Sequence, residues 1–218
     1  MIIVRFIISI LLIPVCVIAT VSFYNGIFAI KNVSESGVLF ILGALLYSVM
    51  HLLLFRLDFL YIFGHESMHA LATFCSGGKA SNMEVSGKEG SVKTTTPNFF
   101  VMLAPYLVPI YTVIIAIACF ILSFFIDITK YYGIFIFLTG FTLMFHLAYT
   151  AESMRGKQSD LVKTGYLSSI AFIYISNLVI VFLIMSLFFK EVSFINFISS
   201  VYEKTKFFYY SFWKQLFL

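Results

Sequence analysis

An all-α polytopic membrane protein is the architecture this sequence predicts, with about six transmembrane helices and a short β-hairpin between helices 3 and 4. Three observations carry that expectation. Of the 218 residues, 61% are hydrophobic and only 11% charged, against roughly 45–50% apolar and about 25% charged in soluble domains. The apolar residues gather in six runs, each close to the ~20 residues that cross a bilayer. The stretch 77–97 breaks the pattern, being polar and rich in Gly, Ser, Thr and Lys.

In the first run, 2–24, Arg5 precedes a continuous apolar stretch, and residues 12–16 faintly resemble a lipoprotein cleavage box. Val15 is the wrong residue before Cys16, and the run is too long for a signal core, so it reads as a retained anchor. Pro14 and Gly26 are expected to bend or end it. The second and third runs, 37–55 and 57–75, meet at Arg56-Leu57-Asp58, a join tight enough for a hairpin or one broken helix. Backbone in lipid must bond internally, which favours helices throughout. In the exception, residues 82–85 and 91–96 flank Gly87-Lys88-Glu89-Gly90, the pattern of two short strands around a glycine-containing turn. The fourth run, 99–126, contains Pro105 and Pro109, each of which removes a helical hydrogen bond and promotes a kink. Runs 131–150 and 165–189 complete the six. The tail, 190–218, interleaves aromatic clusters with Lys204, Lys206 and Lys214, as an interfacial amphipathic helix does.

Net charge is +4. The basic residues sit mainly between apolar runs, where they anchor helix ends, and none of the patterns that read nucleic acid is present. With six crossings they divide seven against seven between the two faces, so they do not orient the chain. Cys16, Cys75 and Cys119 lie in or beside apolar runs with no C-x-x-C spacing, which indicates neither a disulfide framework nor a thiolate site.

Chemistry concentrates at His65-Glu66-Ser67-Met68-His69 in the third run. On a helix, His65 and His69 lie one turn apart on one face, where both imidazoles can bind one metal ion, and Glu66 can take a proton from water there. An ionisable group deep in a bilayer costs about 2.5–3.5 kcal/mol on insertion scales, and a bound cation offsets that cost. A tetrahedral site needs a third protein ligand. Asp160, His146, Glu152 and Asp127 are the candidates. Asp160 also suits a helix start, where a carboxylate favours the dipole. His146, inside an apolar run, suits a ligand, a hydrogen-bond donor to a ligand, or an oxyanion stabiliser. Asp127 falls on the opposite side and suits a helix cap. Glu152 sits in a charged segment, and His51 suits a structural hydrogen bond.

The segment 63–71, followed by a glycine-containing hairpin and then Leu103-Ala104-Pro105-Tyr106, resembles the site-2-protease group of intramembrane zinc metalloproteases, and more narrowly its small bacterial M50B-like members. The resemblance spans residues 63–177. It implies zinc, one per chain, on His65, His69 and a distant aspartate, a role that falls on Asp160, with Glu66 activating water; the residues themselves add His146 as a further catalytic candidate that would steady the oxyanion. Asp160 is followed by Leu161, where better-known members have glycine. The implied division is accessory helices at 1–56, a catalytic core at 57–189 and the tail at 190–218, within one integral domain of a bacterial cell membrane. The implied activity is hydrolysis of peptide bonds in or near transmembrane segments, with membrane proteins or peptides as substrates and the bilayer as surroundings. Two other readings fit the residues: a zinc-binding membrane scaffold or sensor without activity, and a small transporter or immunity-type protein whose motif arose by chance.

Overall fold

The computed structural model of the protein describes residues 2–87 and 89–217; Lys88, in the expected turn, lies outside the described residues. The chain is largely helical with one two-stranded antiparallel sheet. It forms two compact units. One comprises the residues before Glu35 together with those from Gly165 onward, and the other Glu35–Thr164. The accessory stretch 1–56 is thus shared between units.

In the first unit, α1 (Ile2–Phe28) runs through Pro14 and Gly26 rather than ending at either. It packs against α8 (Tyr166–Phe188) and α9 (Phe194–Phe217). Thr20 and Tyr174 join α1 to α8 by a 2.8 Å hydroxyl pair. Phe182 stacks on Phe197, with ring centroids 4.2 Å apart, and joins α8 to α9. The expected amphipathic tail is the helix α9: Phe197 faces inward, while Phe207, Tyr210 and Trp213 stand exposed.

In the second unit, α2 (Glu35–Val49) packs closely on α6 (Tyr132–Arg155) instead of folding back on its neighbour in sequence. Glycine permits that approach. A Cβ on Gly43 would lie 2.0 Å from the Phe137 carbonyl oxygen, and one on Gly140 would lie 2.0 Å from that of Phe40. Small residues at such crossings let membrane helices meet backbone to backbone. α2 continues into a five-residue π-helical stretch, Met50–Leu54, and the Phe55 N–H closes on the Met50 carbonyl at 3.1 Å. The join at residues 56–58 is held by charge. Arg56 pairs with Asp58 at 3.3 Å and with Glu152 on α6.

α3 (Asp58–Cys75) carries the motif and leads into the hairpin β1 (Ala80–Val85) and β2 (Gly90–Thr94), whose register pairs Val85 with Gly90 and Ala80 with Thr94. Both strands pack against α3. The strands begin earlier than expected, and an irregularity between Ser81 and Glu84, with Asn82 at φ 50°, absorbs an extra residue in β1. The fourth apolar run is not one helix. α4 (Phe99–Leu107) and α5 (Ile110–Leu122) meet at a 70° bend beside Pro109. After α6, a short α7 (Ser159–Thr164) is cut off from α8 by Gly165 at φ 102°, a left-handed conformation that glycine adopts without strain. Asp160 therefore belongs to its own short helix and does not open the last span.

Among the described residues, four helical segments are long and apolar enough to cross a membrane: Val4–Phe28, Glu35–Leu54, Ile128–Arg155 and Tyr166–Phe188. The bent α4–α5 pair brings the number to five if it counts as one span. Large apolar side chains such as Leu52, Leu53 and Leu54 stand exposed along them, as lipid contact allows. α3 falls outside the set. Asp58, His65, Glu66 and His69 make its 18 residues too polar, so the expected sixth span rests on other grounds than length and composition.

Candidate metal centre

Helical spacing on α3 brings the two motif imidazoles together, with their Nε2 atoms 3.2 Å apart. Asp160 reaches the same point from α7, its Oδ2 3.3 Å from His69 Nε2 and 3.6 Å from His65 Nε2. Three ligand atoms at 2.0–2.1 Å from a tetrahedral ion would lie about 3.3–3.4 Å from one another. The three observed separations match the edges of that tetrahedron, so His65, His69 and Asp160 fit a small divalent cation. His69 is buried, and His65 and Asp160 are partly buried.

The outer atoms of the triad are held as well. His69 Nδ1 lies 2.8 Å from the Val101 carbonyl oxygen. A carbonyl only accepts, so Nδ1 carries the hydrogen and Nε2 of the neutral ring keeps its lone pair for the centre. His65 Nδ1 faces the Tyr61 hydroxyl at 3.3 Å, and that hydroxyl pairs with Ser153 on α6 at 2.6 Å. The Tyr61 ring stacks on Tyr149, centroids 4.4 Å apart and nearly parallel. Tyr106 donates to Asp160 Oδ2 at 3.4 Å and sets its ring edge-on to His65. Outer hydrogen bonds of this kind fix ring orientation and tautomer in metal sites. Burial alone would raise the Asp160 carboxyl, but hydrogen bonds and charge from His65 and His69 outweigh it and hold the group well below the usual carboxylate range. Asp160 is an anion at neutral pH.

Glu66 is buried on the same stretch of helix, and its carboxylate makes no hydrogen bond to another described residue. It borders two adjoining cavities of about 300 and 330 Å³ that share His65, Glu66, Gly90 and Gln158. The larger also reaches His69, Asp160 and the strand β2. β2 lies hard against the motif. A Cβ on Gly90 would come within 2.4 Å of Ile62 Cγ2 and 2.8 Å of Glu66 Cγ. The cleft therefore has a ligand triad and a carboxylate on one wall and a strand on another. That arrangement can hold an extended chain beside a cation and an open base.

The remaining candidates go elsewhere. Glu152 accepts from Arg56 and faces His51 Nε2 at 3.1 Å, within a network that also ties His51 Nδ1 to Tyr47 at 2.9 Å; it is no ligand. His51 has the structural role its position suggested. Asp127 caps the turn Ile128–Tyr131 through the Thr129 N–H. His146 shares with His65, Pro105 and Tyr111 a separate cavity of about 20 Å³, room for one water, and does not border the cleft onto which Glu66 and Asp160 open. Tyr61 and Ser153 were not singled out from sequence, and Tyr106 and Gly90 entered there only as parts of a motif and a turn, without a place at the site. Tyr61 left a trace there, four residues before His65 and so on the same helical face. Comparison with protein-family models, curated proteins and solved structures finds no match for this chain, so no relative identifies its family.

Proposed function

We propose that this chain is an intramembrane zinc metalloprotease of the site-2-protease type, hydrolysing peptide bonds in or near transmembrane segments. The observation that carries the reading is the tetrahedral spacing of His65, His69 and Asp160, with the open Glu66 carboxylate on the same cleft. Two imidazole nitrogens and a carboxylate oxygen are a donor set that suits zinc. His65, His69 and Asp160 would hold the zinc, which would supply a Lewis acid for the peptide carbonyl and for water, whose pKa would fall toward about 7. Glu66 accepts the proton of the attacking water and passes it to the leaving amine. His65 and His69 stay fixed through Tyr61 and Val101, and Asp160 through Tyr106.

In this reading α3 is the sixth membrane segment. Leu60, Phe63, Leu71 and Phe74 are exposed along one side of it and face lipid, while its histidines turn to the cleft. A helical substrate hides its peptide bonds, so the bound segment is extended. β2 has one edge paired to β1 and the other without a strand partner among the described residues, which suits a substrate added as a strand. Membrane-embedded proteins or peptides are thus the substrate class.

The test is metal analysis of the purified chain together with cleavage of a reconstituted transmembrane peptide. About one zinc per chain is expected, with cleavage that stops on chelation and returns with zinc. Absence of bound metal would remove the site altogether. Zinc without cleavage of any membrane peptide would leave a scaffold or sensor instead. A second expectation concerns Gly90→Ala. The added methyl must displace Ile62, Glu66 or β2 itself, and a 1 Å misplacement near reacting groups costs on the order of 100-fold. Turnover is expected to fall by about that factor at unchanged zinc content. Wild-type turnover in this variant would show that the close approach is only packing.

A further inference from the structure

We infer that Pro105 is a positioning residue for the metal centre: by lacking an N–H it frees the Val101 carbonyl for His69, and so sets the tautomer that turns His69 Nε2 inward. The inference rests on the reading of His65, His69 and Asp160 as zinc ligands.

In an α-helix each carbonyl accepts the N–H four residues ahead. For Val101 that residue is Pro105, inside α4, and proline has no N–H to give. The rest of the turn is satisfied. The Val101 N–H donates to the Asn98 side chain at 2.9 Å, Met102 N–H to the Asn98 carbonyl at 3.0 Å, and Val108 N–H to the Ala104 carbonyl at 3.0 Å. Val101 is 1% exposed, packed with Met68, Ala72 and Ala104, so water has little access to the vacant acceptor. The group that fills it is His69 Nδ1, at 2.8 Å. Buried carbonyls are seldom left unpaired. The carbonyl left without the Pro105 donor and the Nδ1–H of His69 therefore satisfy each other. With alanine at 105, the new N–H would compete for the same carbonyl along the helix axis. His69 would lose its hold on Nδ1 and sample the tautomer with hydrogen on Nε2, 3.2 Å from His65 Nε2. Pro109 supplies an internal comparison. It stands at the 70° bend as the N-cap of α5, and its missing N–H concerns a different carbonyl.

The experiment measures zinc affinity of the full chain in lipid nanodiscs by competition with a chromophoric chelator, for three variants. They are Pro105→Ala, Pro109→Ala, and the α-hydroxy acid analogue of alanine at position 105, whose ester linkage has no N–H. Pro105→Ala is expected to weaken zinc binding about tenfold, while the ester variant and Pro109→Ala stay within about twofold of wild type. An unchanged affinity in Pro105→Ala overturns the inference. So does an equal loss in the ester variant, which would assign the effect to the shape of the ring rather than to the missing donor. The ¹⁵N shifts of His69 in metal-free protein give a second readout. The Nδ1–H form is expected in wild type and a mixture in Pro105→Ala. That readout needs no zinc, so a chain that binds none would refute the metal site while the tautomer still judges the role of Pro105.

Discussion

Glu66→Gln is expected to lower the cleavage rate by about 10²–10⁴-fold, the usual contribution of a positioned acid–base group, with zinc still bound. The amide keeps the volume that fits against Gly90, so β2 and the ligands stay in place. What it loses is the capacity to accept a proton. Glu66 is the one carboxylate that borders both cavities of the cleft, makes no hydrogen bond to another described residue and stands next to a ligand in sequence. Single-turnover cleavage of a labelled transmembrane peptide, with zinc measured on the same sample, separates proton transfer from metal binding. Full activity in the variant would remove Glu66 from the chemistry. Loss of zinc together with activity would assign it to the site's assembly instead.

Asp160→Ala is expected to weaken zinc binding at least as much as loss of an outer hydrogen bond does, about 100-fold or more. It leaves two imidazoles and no charge at the third corner of the tetrahedron. The acids rejected as ligands provide the contrast. Asp127→Ala should cost only the cap of a short turn. Glu152→Ala should release Arg56 and His51 and loosen the join between the π-helical stretch and α3. Both are expected to keep wild-type zinc affinity, measured by chelator competition. If Glu152→Ala lost zinc while Asp160→Ala retained it, the ligand assignment would be reversed.

These two expectations draw on different depths of information. The proposed pairing of His65 and His69 beside Glu66 was readable from five residues, because i, i+4 spacing puts two imidazoles on one helical face whatever surrounds them. The third member of the triad was not. Asp160, Glu152, Asp127 and His146 were all compatible with it, since the choice depends on which distant segment folds back onto α3. Two local details then changed the setting of Asp160. Gly165, at positive φ, ends α7 after one short stretch, and Tyr106 supplies a hydrogen bond to the carboxylate. Neither detail has a periodic signature.

The membrane segments show a similar division. Four helices long and apolar enough to cross a membrane, among the described residues, follow from apolar length alone, because a backbone in lipid must satisfy its own hydrogen bonds. The fourth apolar run looked continuous by composition, although its prolines foretold a kink; the 70° bend divides it into α4 and α5. α3 is the converse case. Its place among the spans was inferred from a run whose polar motif makes it the least apolar of the six.

By itself, then, the sequence determined a helical membrane-type chain, a hairpin after α3, and a paired-histidine motif with an adjacent carboxylate. These depend on contacts within a few residues, where backbone geometry leaves little freedom. Tertiary structure alone decided which acid completes the triad, that β2 lies against Glu66 through Gly90, and that the carbonyl left vacant by Pro105 receives His69. Each of these is a meeting of groups far apart in the chain, and it depends on how closely helices and strand can approach.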